Sequence, residues 1–286
     1  MKLLRSIPLP AWAAGFKLTT SRCGYCNRSL MLHSFSARST GIRMHGSWYC
    51  GARCFTAAAE KEMSQLLTSG VDHATHPERM PLGLFLVSRG FLTSEQLREA
   101  TNQQRETAGD IGDLLVGHGA VTEKQVTVSR AEQWGCPVFA LPKQGVSSAI
   151  HIPPTLVQLY FVVPLHYVVA TNLLLVGFVH GVDYALLYAI ERIAGCKTQA
   201  CFITRSDFEL QVETQRKLRA QNKNGEGRPK EVKFDQVQPP AEMAGILRKF
   251  SLETEADEAV LGKSRDYLWA RVKCDPKAVD LLFRIG

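Results

Sequence analysis

Two stretches of this chain lie in register. PLGLFLVSRGFLTSEQLREATNQQ (81–104) and DIGDLLVGHGAVTEKQVTVSRAEQ (110–133) are separated only by RETAG. Identical residues recur at Gly83/Gly112, Leu86/Leu115, Gly90/Gly119, Thr93/Thr122, Gln96/Gln125 and Gln104/Gln133. The spacing predicts the same helix–turn–helix unit twice. A short first helix carries apolar residues at Leu82, Phe85 and Leu86, and again at Ile111, Leu114 and Leu115. Gly90 and Gly119 can take the left-handed conformation that ends it. Thr93 with Gln96, and Thr122 with Gln125, form capping boxes that start the second helix. Leu97 and Val126 then point back to the core.

Cysteines set a second constraint. Of eight, four form two close pairs, Cys23/Cys26 and Cys50/Cys54, while Cys136, Cys196, Cys201 and Cys274 are scattered among apolar neighbours. Paired thiols at these spacings suit tetrahedral Zn(II), and a closed four-thiolate site is structural rather than catalytic. Gly24 permits the tight turn of the first pair. The second pair runs into an alanine-rich helix, FTAAAEKEMSQLL. A segment this short buries too little core alone, so the metal is expected to fold it. The order of knuckle and helix resembles treble-clef zinc modules. Reduced, metal-binding cysteines and a weak signal-like N-terminus lead to the expectation of a cytoplasmic protein.

With 286 residues, 45% of them hydrophobic and 21% charged, the chain is neither largely disordered nor polytopic. The net charge of +7 is uneven. Residues 1–62 hold nine Lys/Arg and two Asp/Glu, residues 217–233 six and two, and the remainder 19 and 23. The basic first module therefore makes nucleic acid an alternative partner. Residues 144–182 lack Asp, Glu, Lys and Arg. Pro153, Pro154, Pro164 and Asn172 break that stretch, which reads as two or three buried strands rather than a membrane span. The expected fold class is α+β: a tail (1–20), a zinc-knuckle module (21–67), a helical tandem-repeat lobe (81–140) and a small αβ lobe (141–216) within one domain (78–216), a basic linker (217–238), and an αββ module (239–286).

The repeat, the exit Cys136-Pro137-Val138, the segment VVPL at 162–165 and the closing helix ITRSDFELQVETQRKL resemble the N-terminal domain of type II secretion and type IV pilus assembly ATPases. The resemblance covers residues 78–216. Some members of that family bind cyclic di-GMP on this repeat. The resemblance therefore implies ligand positions at Leu82, Gly83, Leu86, Gly90, Leu97, Gln104, Ile111, Gly112, Leu115, Gly119, Val126 and Gln133. The family's leading Arg is Pro81 in one copy and Asp110 in the other, and a later Leu is Thr101 and Arg130. Asp110 repels phosphate, so the expectation is a retained scaffold with weak or no nucleotide binding. Arg79, Arg105 or Arg130 could compensate.

No phosphate-binding loop is present: Gly262-Lys263-Ser264 matches the tail of one, but the required earlier Gly is Asp257. No other catalytic signature stands out. The expected function is a non-enzymatic adaptor or regulator that docks on a protein partner, such as a secretion or pilus component, without inserting into a membrane.

Overall fold

A computed structural model of the chain describes residues 22–29, 41–69, 79–143, 145–146, 150–221, 229–275 and 277–285. The expected tail, 1–20, lies outside these. After a knuckle at Cys23–Cys26 the chain forms a hairpin of β1 (Ile42–Met44) and β2 (Ser47–Tyr49). Its turn residues, His45 and Gly46, both have positive φ, at 47° and 74°. Such backbone matches the natural twist of a two-residue hairpin. The alanine-rich stretch is α1 (Ala52–Thr68), which buries Phe55, Ala59 and Met63 along one stripe.

The tandem repeat folds as α2 (Leu82–Ser88), α3 (Ser94–Thr107), α4 (Ile111–Gly117) and α5 (Glu123–Trp134). Gly90 and Gly119 have φ of 73° and 68°. The N–H groups of Phe91 and Ala120 reach back to the carbonyls of Leu86 and Leu115, closing the first helix of each copy. Both capping boxes form, each with reciprocal side-chain and backbone bonds. Leu86, Leu92, Ala100, Leu115, Val121 and Val126 make a small core shared by the two copies.

The next lobe contains α6 (Pro154–Tyr160), β3 (Val162–Val168), β4 (Leu173–Phe178), α7 (Tyr184–Ala194), β5 (Lys197–Phe202) and α8 (Arg205–Gln221). Its sheet runs β3-β4-β5, antiparallel then parallel, with α7 as the crossover. The uncharged stretch thus supplies one helix and two buried strands. Among the described residues, no helix is long and apolar enough to cross a membrane.

The C-terminal part adds β6 (Lys230–Phe234), α9 (Pro240–Glu253), β7 (Glu258–Lys263), β8 (Tyr267–Cys274) and β9 (Lys277–Arg284). Two expectations are corrected here. The basic linker over 217–238 carries the end of α8 and a strand, because Val232 and Phe234 face the core and Phe234 stacks on Phe283 at 4.9 Å. The αββ module has a further strand, β7, which alternates apolar residues between two covered faces.

Residues 21–67 and 239–286, expected as separate modules, share one six-stranded sheet ordered β2-β1-β7-β8-β9-β6. Strand β1 pairs parallel with β7, Arg43 opposite Glu258 and Met44 opposite Ala259. One face (Ala259, Leu261, Leu268, Ala270, Val272, Leu281, Phe283) packs with α1 and α9. The other (Val260, Tyr267, Trp269, Leu282) joins the core of the αβ lobe. On that second face a bidentate pair, Arg271–Asp280, is buried; Trp269 Nε1 also donates to Asp280, and Arg271 donates to the carbonyl of His151. These bonds satisfy the pair where water cannot.

The Gly262-Lys263-Ser264 match is explained by packing. A Cβ on Gly262 would sit 2.9 Å from the Ala189 backbone, so the residue lets α7 rest against β7. Lys263 Nζ donates to the carbonyls of Leu67 and Ser69, closing the C-terminus of α1. Gly262→Ala should therefore destabilise the protein by about 1–3 kcal/mol through overpacking. Urea denaturation measures it, and an unchanged midpoint would contradict this close approach.

Candidate functional site

The chain brings Cys23, Cys26, Cys50 and Cys54 together, their sulfurs all within 4.8 Å of one another. The Cys26–Cys50 and Cys50–Cys54 sulfur separations are both 3.6 Å. A tetrahedron of Zn–S bonds of ~2.3 Å has edges of about 3.8 Å, so the spacing fits. Burial opposes ionisation of Cys23, but the backbone N–H groups of Cys26, Cys50 and Tyr25 converge on it and hold its pKa down at about 6. The hydrogen bond with Cys50 keeps the proton on Cys54 and pushes that thiol up to about 12. Without a cation the cluster thus supports a thiolate at Cys23 and resists ionisation at Cys50 and Cys54. A divalent metal removes that conflict, because coordination deprotonates thiols outright. His33 lies outside the described residues. His45, the other histidine near the pairs, accepts at Nε2 from the N–H of Leu261 at 2.9 Å.

The residues expected at the nucleotide ligand lie together in the repeat lobe, and most have a packing role there. Leu86, Leu115 and Val126 are buried, with Leu82, Leu97 and Ile111 packed against them. Gly83 and Gly112 mark close helix approaches: a Cβ would lie 2.2 Å from Leu97 Cδ1 in the first copy and 2.9 Å from Val126 Cγ1 in the second. Gly90 and Gly119 are the helix stops. Gln104 Nε2 donates to the carbonyl of Gly109, and Gln133 Nε2 to that of Met80. Each glutamine thus ties its own copy to the residue just before the other.

The two copies part at the positions that depart from the family pattern. Asp110 caps α4 by accepting from the N–H of Asp113 and pairs with Arg130. Arg130 is only 4% exposed and also donates to the carbonyl of Val179 at 2.7 Å. Burial opposes ionisation of Asp110, yet Arg130 and His180 hold its carboxyl below the usual range. Asp113 is bound by Arg205 at 2.7 Å, and His180 lies 3.6 Å from both carboxylates, stacked on Phe161. Burial keeps His180 below its ordinary pKa, so it is neutral near pH 7. Asp110, Asp113 and His180 are close enough to share a metal, but the two guanidiniums already balance the carboxylates.

The cluster is an ionic seam that fastens the second repeat to the αβ lobe. Arg79 does not enter it; its guanidinium lies 3.5 Å from the centroid of the Trp134 ring. Sequence reasoning named Asp110 and Arg130 but did not pair them, and missed Asp113, His180 and Arg205. The available signal was that both departures in the second copy carry opposite charge.

No protein-family model matches the chain. Among curated proteins it is similar to the type IV pilus assembly ATPase PilB of Thermus thermophilus, 23% identical over 129 residues, which is 44% of this chain. The chain spans only 14% of that relative's length. Among solved structures it is similar to MshE with cdg (22% identity, 48% of this chain and 99% of that one, TM-score 0.36). It is also similar to the N-terminal domain of XpsE (16% identity, 46% and 92%, TM-score 0.38). Each of these similarities covers less than half of this chain.

Asp110→Ala leaves the Arg130 charge buried with only the Val179 carbonyl to bond and no counter-charge, and should destabilise the protein by about 3–5 kcal/mol, with the double change Asp110→Ala/Arg130→Leu recovering most of the loss. A folded-state carboxyl held below its unfolded value stabilises above about pH 4, and that stabilisation is lost as pH falls through the folded value. The gap between wild type and Asp110→Ala in urea denaturation should therefore be full at pH 7 and shrink below about pH 4. A gap that ignores pH would contradict a stabilising role for the ionised Asp110 carboxylate.

Proposed function

We propose that this chain is a non-catalytic adaptor, built from a secretion-ATPase-type N-terminal domain and a Zn(II)-stapled sheet, that docks on a protein partner such as a secretion or pilus component in the cytoplasm. The observation that carries this reading is the Asp110–Arg130 pair. It keeps the repeat as a scaffold while turning inward the charges at the positions where a nucleotide ligand would need an outward cation. The fate of Lys263, engaged at the end of α1, supports a chain without nucleotide hydrolysis. Calorimetry with cyclic di-GMP should find binding weaker than roughly 100 μM. Restoring the family pattern needs three changes, Pro81→Arg, Asp110→Arg and Arg130→Leu, because Asp110→Arg alone would set two guanidiniums against each other. Each restored contact should add on the order of 1–3 kcal/mol. Sub-micromolar affinity in the wild type would overturn this reading.

Zinc is the proposed structural cofactor of Cys23, Cys26, Cys50 and Cys54. Fresh protein should carry one zinc per chain. Because β1 and α1 pack on β7 and α9, chelation should raise amide exchange in the C-terminal sheet as well as in the knuckle. The repeat lobe, whose core shares none of these contacts, should be spared. Exchange mass spectrometry showing a loosened knuckle and an unchanged β7 would contradict the shared core.

A second reading rests on charge. No Asp or Glu precedes Glu60. Arg22, Arg28, Arg43 and Arg53 are exposed around the knuckle, as is Tyr25 at 55%. This surface suits the phosphates of nucleic acid, and DNA binding that falls steeply with salt would favour it.

A further inference from the structure

Strand β5 pairs with β4 through its odd-numbered residues: Lys197 N–H bonds the carbonyl of Asn172 and Ile203 N–H, just beyond its end, that of Phe178. Its even-numbered residues therefore turn their backbone groups away from the sheet. At Phe202 these outward groups are met by Pro137 and Phe139, which lie alongside as a one-bridge parallel strand through Val138. At Thr198 the outward N–H and the hydroxyl both donate to Glu191, whose carboxylate stands where a neighbouring strand's carbonyl would be. Between these two closures the C=O of Thr198 and the N–H and C=O of Ala200 face outward, and among the described residues nothing bonds them. The edge opens on a cleft of about 390 Å³ bounded by Pro137, Tyr184, Leu187, Tyr188 and Glu191. Tyr188 is 65% exposed, an unusual setting for a large ring on a helix whose other face is core.

We propose that this edge and cleft dock an extended segment of a partner protein, which joins the three-stranded sheet beside β5. The occupant is set by the chemistry of the gap. An outward acceptor, donor and acceptor in sequence along one strand are matched by extended backbone, not by a helix or by a phosphate. The line is already used as a strand position one step further on, where Val138 pairs with Phe202. The segment carries an apolar or aromatic side chain directed at Tyr188 and Leu187. The site rests on the adaptor reading and supplies the chemistry of the partner.

The test uses the full chain and a phage-displayed library of random linear peptides. Selected peptides should be apolar at alternate positions and should slow amide exchange at Thr198–Ala200. Ala200→Pro removes the outward N–H while leaving the bonds to β4, since proline is tolerated where an edge N–H faces out. It should weaken the selected peptides at least tenfold, as should Tyr188→Glu, with the thermal midpoint unchanged in at least one variant. Peptides that bind both variants as tightly as wild type, or a library that yields no binder, would overturn the site. In the former case the adaptor reading stands on another surface. Steep salt-dependent DNA binding without any peptide binder would remove both.

Discussion

Strand β7 has neighbours on both edges and cores on both faces, and the terminal parts of the chain are organised by that requirement. On one edge it pairs with β8 throughout its length. On the other, β1 reaches only Glu258 and Ala259, which would leave the rest of the edge unsatisfied. Side chains complete the line. His45, at the hairpin turn, bonds the N–H of Leu261, and Arg192 from α7 bonds its carbonyl. Arg192 also pairs with Glu62 of α1. Buried backbone groups left unpaired are expensive, so the hairpin of the cysteine module, α1 and α7 are drawn to one place by a single strand's hydrogen bonds.

That arrangement changes what the cysteine cluster does. The loop between Cys26 and Cys50 contains β1 and β2, so whatever fixes the four sulfurs also positions the strands that extend the sheet. A metal there would stabilise much more than the knuckle, because binding energy available only to the folded arrangement is shared by every element that depends on it. The second face of the sheet meets the αβ lobe through Trp269, the Arg271–Asp280 pair and the Gly262–Ala189 approach.

The repeat shows how one motif serves two environments. Copy one leaves Leu84 exposed, whereas the matching residue of copy two, Asp113, meets Arg205 and His180. Glu123, matching Ser94, accepts from Ser206 at the start of α8. The glycines, caps and closing glutamines are common to both because they serve the internal geometry of the unit. The polar departures of copy two follow from its contact with another lobe. Removing Asp110 while keeping Arg130 would strand a guanidinium where solvent does not reach, so the two departures are physically one feature.

Much of this was legible in the residues alone. The repeat boundaries, the αL glycines, both capping boxes and the pairing of the four cysteines depend on spacing within a few residues, which the backbone turns directly into geometry. The buried strands of the uncharged stretch were readable for the same reason. Lost from view was whatever joins residues far apart: β1 with β7, Lys263 with the end of α1, His180 between two aspartates, and the strand hidden in the basic segment. Local propensity is blind to these, since they are decided by which faces remain to be covered after each unit has formed. Asp110 illustrates the division. Its sequence position marked only a departure from the family pattern, while packing beside Arg130 and Val179 made that departure an ionic lock, because a charge leaving water requires a partner and the tertiary structure supplies it.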